Sequence, residues 1–124
     1  MSNTVQKVVG LSKVKVGDGF REYEFLMSRT EEVLLEYKSI RDRFIVTNKK
    51  IIMIDTQGIT GRKKEYLSIY ISSISSFSVE SSGTFDMDAE LKIYASGIGQ
   101  MEFEFLKGTD VRELASAINN SKLN

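Results

Sequence analysis

Three acids alternate along the stretch TFDMDAELKIY: Asp86, Asp88 and Glu90. Side chains two apart on a strand share a face and stand about 6.7 Å apart, so the three carboxylates span roughly 13 Å. A single Ca²⁺ or Mg²⁺ draws its oxygen ligands to about 2.0–2.6 Å around one point. A straight strand does not gather them, and Ala89-Glu90-Leu91-Lys92-Ile93 alternates too regularly to be a loop that would. No metal site is expected here. General acid–base work by two of these acids needs one carboxyl raised by an apolar pocket. Lys92 and the neighbouring serines make a wet surface instead. A bare D-x-D is weak evidence for a glycosyltransferase, because no nucleotide-binding strand–helix repeat surrounds it. These acids read as the solvated face of a strand, open to a partner.

A second candidate is Gly58 and Gly61 followed by Arg62-Lys63-Lys64. The phosphate-loop pattern G-x-x-x-x-G-K-[ST] is absent, and no helix follows to offer its N-terminus. The segment reads as a hairpin turn leading into an exposed strand. Its bases, with Lys49 and Lys50, form the alternative site, one for anionic lipid head groups. No strand face combines aromatic and basic residues, so no nucleic-acid partner is expected.

Other chemistry is excluded by what is missing. The chain has no cysteine and no histidine. That removes thiolate nucleophiles, disulfides, the commonest metal ligands and the usual general base near neutral pH. No cofactor is expected. The 17 acids and 17 bases cancel, so overall charge draws the protein to neither nucleic acid nor membrane. MSNTVQKVVG has no apolar leader core, and no apolar run approaches the roughly 18 residues of a membrane span. A soluble, cytoplasmic protein is expected.

The elements that must position these residues are mostly strands. Seven are expected: EVLLEYKSI, RFIVT, KIIMID, RKKEYLSI, ISSFSVES, MDAELKIYA and QMEFEFL. Asn48-Lys49 joins the second and third as a tight hairpin. Taking Gly97-Ile98-Gly99 as the last hairpin loop sets Ala95 against Met101, Ile93 against Phe103 and Leu91 against Phe105, all apolar. Tyr94 then meets Glu102, and Lys92 meets Glu104. In GTDVRELASAINN, Asp110 and Glu113 read as a capping box. Val111, Leu114, Ala115 and Ile118 form one apolar stripe, which must lie on the sheet. Phe20, Tyr23 and Met27 suit a short helix after Gly17-Asp18-Gly19. The chain thus divides into an N-terminal extension, 1–30, and a β-domain, 31–124.

Three segments carry a resemblance: YKSIRDRFIVTNKKIIMIDTQGITGRKKEYLSI, SISSFSVESSGTFDMDAELKIY and FLKGTDV. Together they resemble the bacterial pleckstrin-homology (PH)-like domains, over about three-quarters of the chain. The resemblance implies a mainly β (α+β) fold, a bent seven-stranded antiparallel sheet or barrel capped by a C-terminal helix. It implies no enzymatic activity. It also implies a ring-shaped homo-oligomer of cyclic symmetry, a pentamer by analogy, with a hydrophilic surface for a protein partner where strands of adjacent protomers meet. Family members usually carry proline after the YLSI segment, where this chain has Tyr70.

Two features bear on self-assembly independently. Residues 38–64 hold eight bases against Asp42 and Asp55, and residues 80–104 hold six acids against Lys92. Copies of such a chain attract one another head to tail, and head-to-tail contacts make rings when the rotation closes. RFIVTNKKIIMID, moreover, is apolar on both strand faces. One face enters the core, and the other needs a cover: the N-terminal segment, the C-terminal helix or a neighbouring protomer. The expected partner surface is Ser76, Ser78, Glu80, Asp86, Asp88 and Glu90.

Overall fold

A computed structural model of the chain describes residues 6–81 and 89–123. Asp86 and Asp88 lie outside the described residues. The long apolar alternations form strands: β1 (Gln6–Val14), β2 (Val33–Lys38), β3 (Arg43–Thr47), β4 (Lys50–Gln57), β5 (Lys63–Tyr70), β6 (Ile74–Ser81), β7 (Ala89–Ala95) and β8 (Gly99–Phe105). They build one sheet in the order β5-β4-β3-β2-β1-β8-β7-β6. A short helix α1 (Phe20–Tyr23) runs into a 3₁₀ turn, Glu24–Leu26, and α2 (Val111–Leu123) ends the chain. The mainly β fold with its C-terminal and short N-terminal helices is the one the sequence implies. Two details differ. The sheet is open, with β5 and β6 at its two ends, and is not a closed barrel. It also holds eight strands, one more than expected.

The added strand is β1. Its first residues, Gln6–Val8, run parallel to β8, while Ser12–Val14 run antiparallel to β2. The register shifts between Val8 and Leu11, where Gly10 takes a φ of 75°. Only glycine enters that region without strain. The bulge puts Val8 and Leu11, three apart, into the same core. An apolar spacing of three hides the period of two by which a strand is recognised.

β3 and β4 are apolar on both faces, and the structure covers both within the chain. Phe44, Val46, Ile51 and Met53 enter the main core with Tyr37, Leu91, Ile93, Phe103 and Phe105. Ile45, Ile52 and Ile54 lie on the other face, beneath Tyr23, Phe20, Leu26 and Met27 of the N-terminal segment. Fully burying one such side chain contributes about 1.5–3 kcal/mol. The second apolar face therefore leaves nothing that a neighbouring protomer must cover.

The turns show how little glycine some of them need. The Thr47 hydroxyl accepts the N–H groups of Lys49 (3.0 Å) and Lys50 (2.9 Å), closing the hairpin at Asn48-Lys49. Tyr70, where the resemblance implies proline, has φ −66°, which is the angle a proline ring imposes. The last hairpin differs in register from the expected one. Ala95 pairs with Gly99, Ile93 with Met101 and Leu91 with Phe103, so the loop is Ser96-Gly97-Ile98, with Gly97 at φ 87°. The displacement is two residues, and a shift of two leaves every side chain on its own face. That is why both registers look consistent from sequence.

The stripe of α2 lies on the sheet, with Leu114 and Ile118 fully buried. Half of the capping box forms. The Asp110 carboxylate accepts the Arg112 N–H (2.9 Å), which holds its pKa below the usual value, while Glu113 turns to Lys13 (2.6 Å). At the other end the Lys122 ammonium donates to the carbonyls of Ile71 (3.3 Å), Ser72 (3.1 Å) and Ile74 (2.6 Å). It thereby ties α2 to the turn between the two edge strands.

Candidate functional site

The outer face of β6, β7, β8 and β1 is polar and continuous. Strand alternation turns Ser76, Ser78 and Glu80 outward on β6, opposite Tyr94, Lys92 and Glu90 of β7. The same rows continue to Gln100, Glu102 and Glu104 on β8. Four of the six residues predicted for the partner surface, Ser76, Ser78, Glu80 and Glu90, thus lie together on this face. Glu80, Glu90 and Glu104 stand side by side as like charges, which two lysines offset. Lys7 lies 3.8 Å from Glu90 and 3.7 Å from Glu104, and Lys92 lies 3.6 Å from Glu90. Such partly solvent-exposed pairs contribute only about 0–1 kcal/mol each. Among the described residues no group of three or more acids is placed to hold a metal ion.

The five bases of the alternative lipid site do not form one patch. Lys49 and Lys50 sit at the start of β4, whereas Lys63 and Lys64 pair with Gln57 and Thr56 at its other end, next to Arg62. Lys50 is also buried. Its ammonium donates to the Leu26 carbonyl (2.5 Å) and to Glu31 (3.0 Å). Lys64 reaches Glu22 at 3.4 Å. Exposed Lys49, Arg62 and Lys63 remain.

Two buried charge clusters were not anticipated from sequence. Glu36 is fully buried in the middle of β2. Its carboxylate accepts the N–H groups of Gly17 (3.0 Å) and Gly19 (2.7 Å), the Tyr23 hydroxyl (2.5 Å) and the Arg43 guanidinium (3.0 Å). Arg43 also pairs with Glu22 (2.7 Å) and Asp18 (3.1 Å). Burial and then Glu36 push the Tyr23 hydroxyl well above its ordinary pKa. The second cluster joins Glu31, Lys50 and Thr47. Burial alone would raise the Glu31 carboxyl, but the Thr47 hydroxyl, the Ser28 N–H and Lys50 outweigh it and hold the pKa below the usual value. Both clusters clamp the N-terminal segment over Ile45, Ile52 and Ile54. The legible signal was an acid in the midst of the apolar strand VLLEYK.

These acids are occupied by structural partners, so they offer no free acid or base. Among the described carboxyls one is pushed upward: Asp42, by burial and by neighbouring Asp55, against the opposing Thr56 N–H. It borders a crevice of about 160 Å³ with Met53, Leu67 and Met101. That is small beside the roughly 300–1,000 Å³ of ordinary ligand pockets. A wider cleft of about 730 Å³ opens between the β2–β3 and β4–β5 turns, with Lys38, Arg41 and Arg43 on its walls.

Comparison with known proteins agrees with this architecture. The chain matches the bacterial PH domain family model over residues 3–121. A pleckstrin-homology-domain protein of Shewanella loihica PV-4 superposes with a TM-score of 0.79 at 41% identity, covering 91% of this chain and 97% of that one. A pleckstrin homology domain from Shewanella amazonensis SB2B gives 0.69 at 39% identity, covering 99% and 94%. The uncharacterized protein YjqA of Bacillus subtilis (strain 168) is 47% identical over 76 residues, a stretch spanning 61% of each chain. YozO of the same organism, also uncharacterized, is 28% identical over 110 residues, 89% of this chain and 95% of that one. Family model and superposition agree across nearly the whole length, and the chain belongs to the bacterial PH domain family.

Proposed function

We propose that the protein is a non-enzymatic interaction module that assembles head to tail into a ring of identical copies and docks a partner protein on its polar outer face. One observation carries this reading: the sheet is open, and its edge strands β5 and β6 are both exposed along most of their length. An unpaired edge is a template for another strand. β5 begins with exposed Lys63 and Lys64, next to Arg62, whereas β6 carries serines and Glu80. The two edges differ in charge and in sequence, so they suit a heterologous contact that closes into a ring. Adjacent protomers would then bring the β6 side of one copy, with Ser76, Ser78, Glu80 and Glu90, against the β5 side of the next.

Light scattering after size exclusion, at low and high salt, tests the ring. A mass several times 14.0 kDa is expected, and Lys63→Glu with Lys64→Glu should lower it. A monomer at working concentration in both salts would refute the assembly. Pull-downs with Ser76→Arg and Glu80→Lys test the docking face, because a partner captured equally well by both variants does not use it.

A further inference from the structure

We propose that β5 of one copy pairs antiparallel with β6 of the next, and that Phe25 and Tyr66 anchor this seam against Phe77. The pairing rests on the head-to-tail assembly proposed above and fixes how its two edges meet. Phe25, on the N-terminal cover, is 68% exposed, and Tyr66, on β5, is 39% exposed. Their rings stand edge to face at 5.0 Å, at the rim of the sheet. The cover that buries Ile45, Ile52 and Ile54 thus ends in an aromatic pair beside an unpaired strand. Aromatic rings that leave water in a contact are the commonest anchors between proteins. Phe77 and Val79 on β6 are themselves only half-buried.

Ladder alternation decides which residues of each edge are able to bond. In an antiparallel pair a residue turns both its N–H and its C=O to one neighbour, and the next residue turns both away. The Ile71 N–H bonds the Lys49 carbonyl. Ile69 and Leu67 therefore face β4, and Ser68, Tyr66 and Lys64 turn their backbone groups to the open side. On the other edge, the Ile98 N–H bonds the Ala95 carbonyl inside the β7–β8 hairpin. Tyr94, Lys92 and Glu90 then face β6, so Ser76, Ser78 and Glu80 turn their backbone groups to β7 and leave those of Phe77 and Val79 open. A hydrogen-bonded antiparallel seam must set Tyr66 against Phe77 or Val79, with the opposed side chains on one face. Tyr66 against Phe77 also sets Lys63 against Glu80, which are opposite charges. Tyr66 against Val79 sets Glu65 against Glu80, which are like charges and disfavoured. A parallel pair would set Tyr66 against a serine or Glu80, and it is weaker per residue. Charge and apolar contact therefore select one register, with Phe25 packed over its aromatic pair.

The chain has no cysteine, so engineered thiols report the register directly. In it Glu65 and Ser78, both exposed, face each other as a non-hydrogen-bonded pair with Cα atoms about 4.5 Å apart, which is within disulfide range. A chain carrying Glu65→Cys with Ser78→Cys should give a ladder of disulfide-linked oligomers under copper–phenanthroline, and neither single variant should cross-link. Phe25→Ser with Tyr66→Ser should raise the concentration at which the assembly dissociates about ten-fold or more, while circular dichroism shows the fold retained. If the wild type assembles but the double-cysteine chain forms no intermolecular disulfide, or the serine variant keeps its mass at every concentration, the pairing is overturned and the ring stands. Cross-linking by Glu65→Cys alone also overturns it, because that edge would then be meeting itself. A wild type that is monomeric in low and high salt overturns the ring and the pairing together.

Discussion

Replacing Glu36 with alanine should detach the N-terminal cover from the sheet. The substitution strands four donors at once: the N–H groups of Gly17 and Gly19, the Tyr23 hydroxyl and one arm of Arg43. Each buried donor left unpaired costs about 1–3 kcal/mol. The four costs overlap, because Arg43 keeps Glu22 and Asp18 and the loop can relax toward water. Breaking a buried pair costs about 3–5 kcal/mol, and that is the loss expected here. Against a typical domain stability of about 5–15 kcal/mol it is a large fraction. It corresponds to a fall in Tm of about 10–20 °C. Thermal melts and urea titration give the magnitude, while amide exchange gives the location. Residues 17–27 should exchange faster than the β7–β8 hairpin, as the cover over Ile45, Ile52 and Ile54 opens. Glu36→Gln should cost less, because its amide oxygen still accepts and Arg43 still meets two carboxylates. A loss below about 1 kcal/mol for Glu36→Ala, or unchanged exchange at 17–27, would refute the clamp.

Three further outcomes follow from the geometry. The folded-state pKa of Glu31 lies below its ordinary value, so its contribution to stability is complete above the unfolded value and is lost as pH falls through the folded one. Urea midpoints measured from about pH 7 to about pH 3 should therefore drop on the acid side, and Glu31→Gln should flatten part of that drop. Tyr70→Pro should be neutral or stabilising by about 0.4–1 kcal/mol in a thermal melt. The φ already fits, and because the Ile71 N–H bonds the Lys49 carbonyl, ladder alternation points the Tyr70 N–H away from β4. Ile118→Ala empties a fully buried position beneath α2 and should cost about 2–5 kcal/mol by denaturant titration.

The open edges differ in composition from the core strands. β6 is an edge strand whose outward residues are serines and Glu80, with no large apolar side chain among them. That composition makes indiscriminate strand pairing at the edge less favourable. The fold thus carries three distinct surfaces: two edges of unlike charge and one wet face.

Local pattern was enough to place most strands, α2 and the short N-terminal helix, because side-chain periodicity and turn residues act within a few positions of one another. Asn48-Lys49 and the wet alternation of β6 and β7 were legible for that reason, as was the need for a cover over the second face of β3 and β4. β1 was not, because the bulge at Gly10 breaks its period. The register of the last hairpin was not either, because a shift of two preserves both faces. Sequence could name Lys50 and Arg43 as bases, but it could not say that Glu31 and Glu36 bury them. Those pairs join residues 19 and 7 positions apart. They exist because the chain returns across the sheet to cover its own apolar face, which only the assembled fold determines. Charge type is a property of the residue. Whether the charge stays exposed for a partner or is spent inside the domain depends on burial, and burial is decided by tertiary packing.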